Sequence, residues 1–408
     1  MINIQPFHAL RPQVTLAKSV ASRPYDVLTS KEAKEEAAGN PNSFLHITKS
    51  EIDLPEAIDI HTQEVYNKAK ENLAAFISRE VLFTESKPCY YFYRLTMNGR
   101  SQVGLVAGSS VDDYENGLIK KHEFTRPDKE LDRINHMITL RAQTGNVFLT
   151  YRNVEEMDKL VNDWITAKTP QYDFTADDGV QHSIWVVSDG KIIDDITGIF
   201  AQKVPATYIA DGHHRAASAA KVRNALGDAA TKESDYFLTT LFPASQLEIM
   251  DYNRIILDTN GLSTHHILEK IAADFIVEKS DEAYKPEAIH TFGLFAEGQW
   301  YKLSAKEHTY GNDALSVLDI NILQKYFLSP LFGIHDQRTD KRIDFVGGIR
   351  GLGELEKRVN EGQAKLAISL YPVSMDQLFA VADMGEVMPP KSTWFEPKLR
   401  DGLLTHLL

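Results

Sequence analysis

The stretch TYIADGHHRAASAAKV, residues 207–222, constrains this chain more than any other. An apolar run ending at Ala210 reads as a strand, Asp211-Gly212 as a turn, and His213 to about Ala225 as an alanine-rich helix. A strand-to-helix turn needs only a glycine and a cap, yet this one carries Asp211, His213, His214 and Arg215. The open N–H groups and dipole of a helix's first turn favour an anion. Arg215 can fork onto a phosphate or carboxylate. Asp211 can cap the helix, hold a histidine tautomer or ligate Mg²⁺. Successive helical residues project about 100° apart, so His213 and His214 cannot share one task. One is expected to face a pocket and the other the core.

The rest of the chain sets what surrounds that turn. At 408 residues it is too long for one ordinary domain, and strands and helices mix without a regular βαβ rhythm. The expectation is an α+β fold in two regions, 1–245 carrying the turn and 246–408 adding a second α+β region with basic loops. A net charge of −13 argues against a nucleic-acid surface, because phosphate backbones need clustered Lys and Arg. A single cysteine, Cys89, excludes an intrachain disulfide and a Cys-rich zinc site, and reads as a buried thiol in a strand. No apolar run reaches membrane-spanning length, and MINIQPFHALRP lacks a charged head before an apolar core. A cytoplasmic protein with no membrane partner is expected, and a homo-oligomer is left open.

Three further stretches carry charge in loop-like contexts. In IKKHEFTRPDKELDR, residues 119–133, Lys120, Lys121, Glu123 and Arg126 precede Pro127, read as a helix breaker; an exposed salt-bridged face is the competing reading. In DQRTDKRIDFVGGIRGLG, Arg338, Arg342 and Arg350 flank glycines whose backbone can form an anion nest, although neither a Walker ending nor G-x-G-x-x-G spacing is present. In MPPKSTWFEPK, Lys391, Ser392 and Thr393 follow two prolines; a proline turn anchored by Trp394 explains them equally. His265-His266 reads as structural.

With these stretches in view, the chain resembles a known group. GHHR at 212–215 is similar to the glycine-led phosphate motif of the ParB and sulfiredoxin superfamily. More closely, SRPYDVLT, NPNSFLHITKSE, SVDDYENGLIKKHEFTRPDKELDR, YIADGHHRAASA, RTDKRIDFVGGIRGL and MPPKSTWFEPKLR resemble a large bacterial family long described as of unknown function and linked to free-serine kinases. The resemblance implies a ParB/sulfiredoxin-like core and phosphoryl transfer to free L-serine. Inorganic pyrophosphate is the implied donor, with ADP or ATP as the nucleotide alternative. His213 stands where sulfiredoxins need a reactive cysteine, so sulfinic-acid repair has no nucleophile here.

Phosphoryl transfer rests on positioning and charge compensation. Asp211 with Mg²⁺ is assigned to the donor oxygens. Gly212, the helix start and Arg215 are assigned to the transferred phosphoryl. Lys120, Lys121, Arg126, Arg338, Arg342, Arg350, Lys391, Ser392 and Thr393 are candidates for the rest of the anion. Either Glu123 or His214 serves as the base. The competing readings are a ParB-like nucleotide- or DNA-associated module, and a phosphatase or pyrophosphatase using the same pocket with water as acceptor.

Overall fold

The computed structural model describes all 408 residues and divides them into two compact units. The first comprises Met1–Lys121, Thr125–Leu247 and Pro397–Leu408; the second comprises His122–Phe124 and Glu248–Glu396. The main break between the units falls at 247/248, and two short segments cross it in sequence. Pro397–Leu408 joins the first unit because Thr405–Leu407 pairs with Ala9–Pro12 and with Ala142–Gln143. His122–Phe124 joins the second: the His122 carbonyl accepts from the Met388 N–H, and its Nε2 lies 3.3 Å from Thr393 Oγ1. Glu123, expected in the N-terminal region, therefore belongs to the second unit.

The first unit is built on a mixed nine-stranded sheet. Its main strands are β1 (Tyr90–Met97), β2 (Arg100–Ser110), β3 (Val147–Tyr151), β4 (Gln181–Val187), β5 (Thr207–Asp211) and β6 (Tyr236–Pro243). Their order runs Ile119–Lys120, β5, β3, β6, β2, β1, β4, Tyr172–Thr175, with Ile4–Gln5 beside β2. β1 and β2 form the hairpin expected around Asn98-Gly99; both turn residues have positive φ, as a two-residue turn matching the strand twist requires. β3 is buried along its whole length and pairs parallel with β6 and antiparallel with β5. That double burial explains an unbroken apolar run rather than alternation.

Three helices matter for the site: α1 (Gln63–Ser78), α2 (Pro127–Leu140) and α3 (His213–Leu226). Nine of the fourteen residues of α3 are buried, and alanines and serine dominate them. Small side chains let this helix approach β3 and α2 closely on several sides. Pro127, expected to stop a helix, starts α2 instead, with Arg126 as its N-cap. The missing proline N–H costs nothing at a position where that donor has no intrahelical partner.

The second unit holds a six-stranded antiparallel sheet of β7 (Tyr252–Ile256), β8 (Phe275–Ser280), β9 (Thr291–Ala296), β10 (Gln299–Ala305), β11 (Ile343–Gly347) and β12 (Leu366–Leu370), ordered β8-β10-β9-β12-β7-β11. Mixed helix and sheet in both units give the expected α+β class. Cys89 is buried, and burial pushes its thiol up to about 11, which leaves it protonated and unreactive.

Candidate active site

β5 ends at Asp211, and Gly212 turns the chain into α3 with φ 92° and ψ 30°. Glycine is required there twice over. The left-handed backbone disfavours any side chain, and a Cβ would lie 3.1 Å from Arg215 Nε and 3.4 Å from Val147 Cα. α3 begins without a side-chain cap. The Gly212 N–H donates to Asp211 Oδ1 at 2.9 Å, and the other Asp211 oxygen accepts from Lys398 Nζ at 3.1 Å. About a third of the Asp211 side chain remains exposed, so this carboxylate sits at the mouth of the turn.

Arg215 lies behind it, 8% exposed. One terminal nitrogen donates to the Asn146 carbonyl; the other sits 3.4 Å from Asp26 Oδ2 and 3.6 Å from Asp211 Oδ2. Burial alone would lower its pKa, but Asp26, Asp211, Tyr25 and Asp401 together raise it, so the guanidinium stays charged. The reverse holds for Asp401, buried among the same groups: desolvation pushes its carboxyl up to about 7, against the pull of Arg215. Asp401 is fixed by backbone bonds in both directions with Ser22. Arg400, beside it, donates to His182 Nε2 at 3.3 Å and pairs with Asp178, tying the C-terminal segment to β4.

The two histidines differ in burial. His213 is buried. His214 is half-buried, and its Nε2 accepts from the Arg126 N–H at 2.9 Å. The lone pair a general base would need is thereby occupied in holding the start of α2. Glu130 on α2 receives Lys221 from α3 and Thr125 from the preceding loop, a second clamp between these helices.

The remaining expected residues divide between the two units. Lys120 lies on the short strand beside β5, opposite Tyr208. Lys121 Nζ stands 4.2 Å from the Tyr114 ring centroid. The Arg126 side chain pairs with Asp128 at 3.0 Å on the surface. In the second unit Arg338 pairs with Asp336 at 2.7 Å, Arg342 pairs with Asp340 at 2.6 Å and also donates to the Phe332 carbonyl, and Arg350 is exposed. Lys391 takes a left-handed backbone with its Nζ 5.8 Å from the Tyr252 ring, and Ser392 donates to the Pro389 carbonyl at 2.5 Å. Arg338 and Arg342 are thus each matched by an acid two residues away, a spacing visible in DQRTDKR.

Around the turn the structure adds Tyr25, Asp26, Arg133, Lys398 and Asp401, none of which the sequence pointed to individually. The signal was present only as whole stretches: SRPYDVLT holds Tyr25-Asp26, and EPKLRD holds Lys398 and Asp401. For Mg²⁺ the fit is poor. No three His, Cys, Asp or Glu side chains converge to hold a metal ion, and Asp211 is already engaged by Lys398.

A family model described as "Protein of unknown function (DUF1015)" matches residues 4–321. The chain belongs to this DUF1015 family. No curated protein matches it. Among solved structures it is similar to a conserved hypothetical protein from Pyrococcus furiosus, with 14% identity, 74% of this chain and 95% of that one covered, and a TM-score of 0.37. It is also similar to a free serine kinase in complex with AMP, with 11% identity, 74% and 91% covered, and a TM-score of 0.37. A third similar structure is SbnI with C-terminal truncation from Staphylococcus aureus, with 12% identity, 74% and 87% covered, and a TM-score of 0.39. This DUF1015 member has no helix long and apolar enough to cross a membrane.

Proposed function

We propose that this protein is a cytoplasmic phosphotransferase that phosphorylates free L-serine to O-phosphoserine, with inorganic pyrophosphate as donor and ADP or ATP as the alternatives. The observation that carries the reading is the turn at 211–215. A left-handed glycine opens a fourteen-residue helix, and Lys398 and Arg215 bracket the one carboxylate at its mouth. A helix N-terminus flanked by two cations suits a transferring phosphoryl group, whose charge spreads over its equatorial oxygens. The likeness of GHHR to the phosphate turn of a ParB/sulfiredoxin-like core supports the same placement.

In the proposed step the serine hydroxyl oxygen attacks phosphorus, forming the O–P bond as the bridging P–O bond breaks. Orthophosphate leaves when pyrophosphate is the donor, and the hydroxyl proton passes to a base. Glu123 and His214 are the two candidate bases, and the His214 Nε2 already accepts the Arg126 N–H. Lys398 supplies the cation nearest Asp211, and Arg215 holds Asp211 in place from behind. Mg²⁺ bound to the donor's own oxygens would supply charge neutralisation there; with Asp211 engaged by Lys398, no side chain of this protein is assigned to hold it.

The test is product formation. Purified protein with L-serine, Mg²⁺ and each donor separately should yield O-phosphoserine with pyrophosphate. Phosphate release independent of serine would make the protein a pyrophosphatase instead. Glu123→Gln should lower turnover by about 10²-fold or more if Glu123 is the base.

A further inference from the structure

Behind Arg215 lies a small, half-open cavity of about 20 Å³, lined by Tyr25, Arg133, Thr144, Gly145 and Arg215 on its polar side and by Phe237 and other apolar residues opposite. The volume suits a group somewhat larger than one water and far smaller than a nucleoside. Its polar lining is incompletely used. Arg215 Nε is buried and has no hydrogen-bond partner. Arg133 gives its Nε and one terminal nitrogen to Asp132, at 2.9 and 2.7 Å, and its other terminal nitrogen donates to no protein acceptor. The Arg133 guanidinium lies 4.0 Å from the Tyr25 ring centroid, which fixes its plane.

A buried donor without an acceptor, as Arg215 Nε is, is uncommon, and in a half-open cavity beside a second guanidinium it offers its N–H to an incoming anion. Arg215 meets its carboxylates at 3.4 and 3.6 Å, beyond the 2.7–2.9 Å of a well-made charged bond, so its fork is not saturated by protein. Gly145 keeps the space open: a Cβ there would lie 3.3 Å from Arg215 Cδ and 3.5 Å from Asp401 Oδ1. His136, also on the lining, donates Nε2–H to the Ile47 carbonyl and is held neutral by burial beside Arg133, so it brings no competing charge.

We infer that this cavity receives the carboxylate of a small organic acid, gripped by Arg133 Nη1 and Arg215 Nε, with the Thr144 and Tyr25 hydroxyls completing the shell and Phe237 facing its carbon chain. The site stands on its own geometry; only the identity of the acid as L-serine rests on the function proposed above. Arg133 and Thr144 then decide which alcohols reach the phosphoryl group: those carrying a carboxylate.

The test uses the full chain without any phosphoryl donor. L-serine, glycerate and serinol, which lacks the carboxylate, are titrated by calorimetry. L-serine and glycerate should bind and serinol should not. Arg133→Met should weaken both acids by about tenfold or more, and Thr144→Val, a gentler change, by about threefold. Circular dichroism melts of both variants establish that they are folded. If Arg133→Met does not fold, Thr144→Val and the serinol comparison still decide. Equal binding of serinol and L-serine, or no binding of either acid to the folded wild type, overturns the inference and leaves the cavity to water. Phosphoserine formation with acid binding indifferent to Arg133 and Thr144 would sink this site but not the kinase reading. Acid binding lost in the variants, with no phosphoserine from any donor, would do the reverse.

Discussion

Two arginines, one in each unit, are buried to nearly the same extent in opposite surroundings. Arg215 sits among Asp26, Asp211 and Asp401, which raise its pKa despite burial. Arg254, on β7, is wholly buried with no carboxylate within ion-pair distance. Its guanidinium reaches Gln337 Oε1 at 3.3 Å, the Tyr252 carbonyl and the Pro390 carbonyl at 3.2 Å, and stacks 5.1 Å from the Phe345 ring. Desolvation lowers it to about 9. The first arginine holds Asp26, Asp211 and Asp401 together around a turn. The second cross-links neutral carbonyls from three segments of one unit and carries its charge as a burden. A buried charge thus marks a candidate site by the company it keeps, not by burial.

The largest expected effect comes from removing the first of the pair. Arg215→Met leaves three acids without their central cation, and breaking a buried ionic cluster costs about 3–5 kcal/mol. Urea unfolding should show that loss, and turnover should fall at least as far as in the Glu123→Gln variant. Gly212→Ala comes next. The left-handed backbone and the close approach of Arg215 should together cost about 2 kcal/mol in the same measurement.

Third is the pH response of the acids around Arg215. Asp401 titrates in the folded state at about 7, above its ordinary 3.8, so between about pH 4 and 7 the fold keeps a proton that the unfolded chain has lost. Its contribution to stability is therefore present at low pH and is lost as pH rises through 7. His136 and His182 act oppositely. Burial lowers both from 6.5 to about 3, so stability falls as pH drops through that window. Asp401→Asn removes the first trend and leaves the second. The variant should gain roughly 2–3 kcal/mol on the wild type when unfolding is measured at pH 7.5 instead of pH 5. An unchanged difference would mean that Asp401 is not the protonated member of the cluster.

The smallest effect belongs to the second arginine. Arg254→Met loses three hydrogen bonds but also removes a desolvated charge, and should change stability by about 1 kcal/mol or less. A loss as large as that of Arg215→Met would break the contrast between the two environments.

Much of the frame was legible from local patterns. The Asn98-Gly99 hairpin, the β5 strand and the Gly212 turn each declare themselves through residues adjacent in sequence. Pro127 misled because a proline ends a helix that precedes it but opens one on its C-terminal side. The candidate site was half legible. Asp211, Gly212 and Arg215 stand together in the chain, and the split between His213 and His214 reflects helical spacing. Lys398 meets Asp211 from 187 positions away, and Asp26 meets Arg215 from 189. Nothing local in EPKLRD or RPYDV signals those encounters. Arg338 and Arg342 drew attention as cations, although the acids they pair with lie two residues before each.

The central claim is tested most directly by mass spectrometry of L-serine incubated with the full chain, Mg²⁺ and pyrophosphate, alongside Arg215→Met. O-phosphoserine and equimolar orthophosphate are expected from the wild type, and neither above background from the variant. Absence of O-phosphoserine with pyrophosphate, ADP and ATP alike, from a protein shown to be folded, would contradict it.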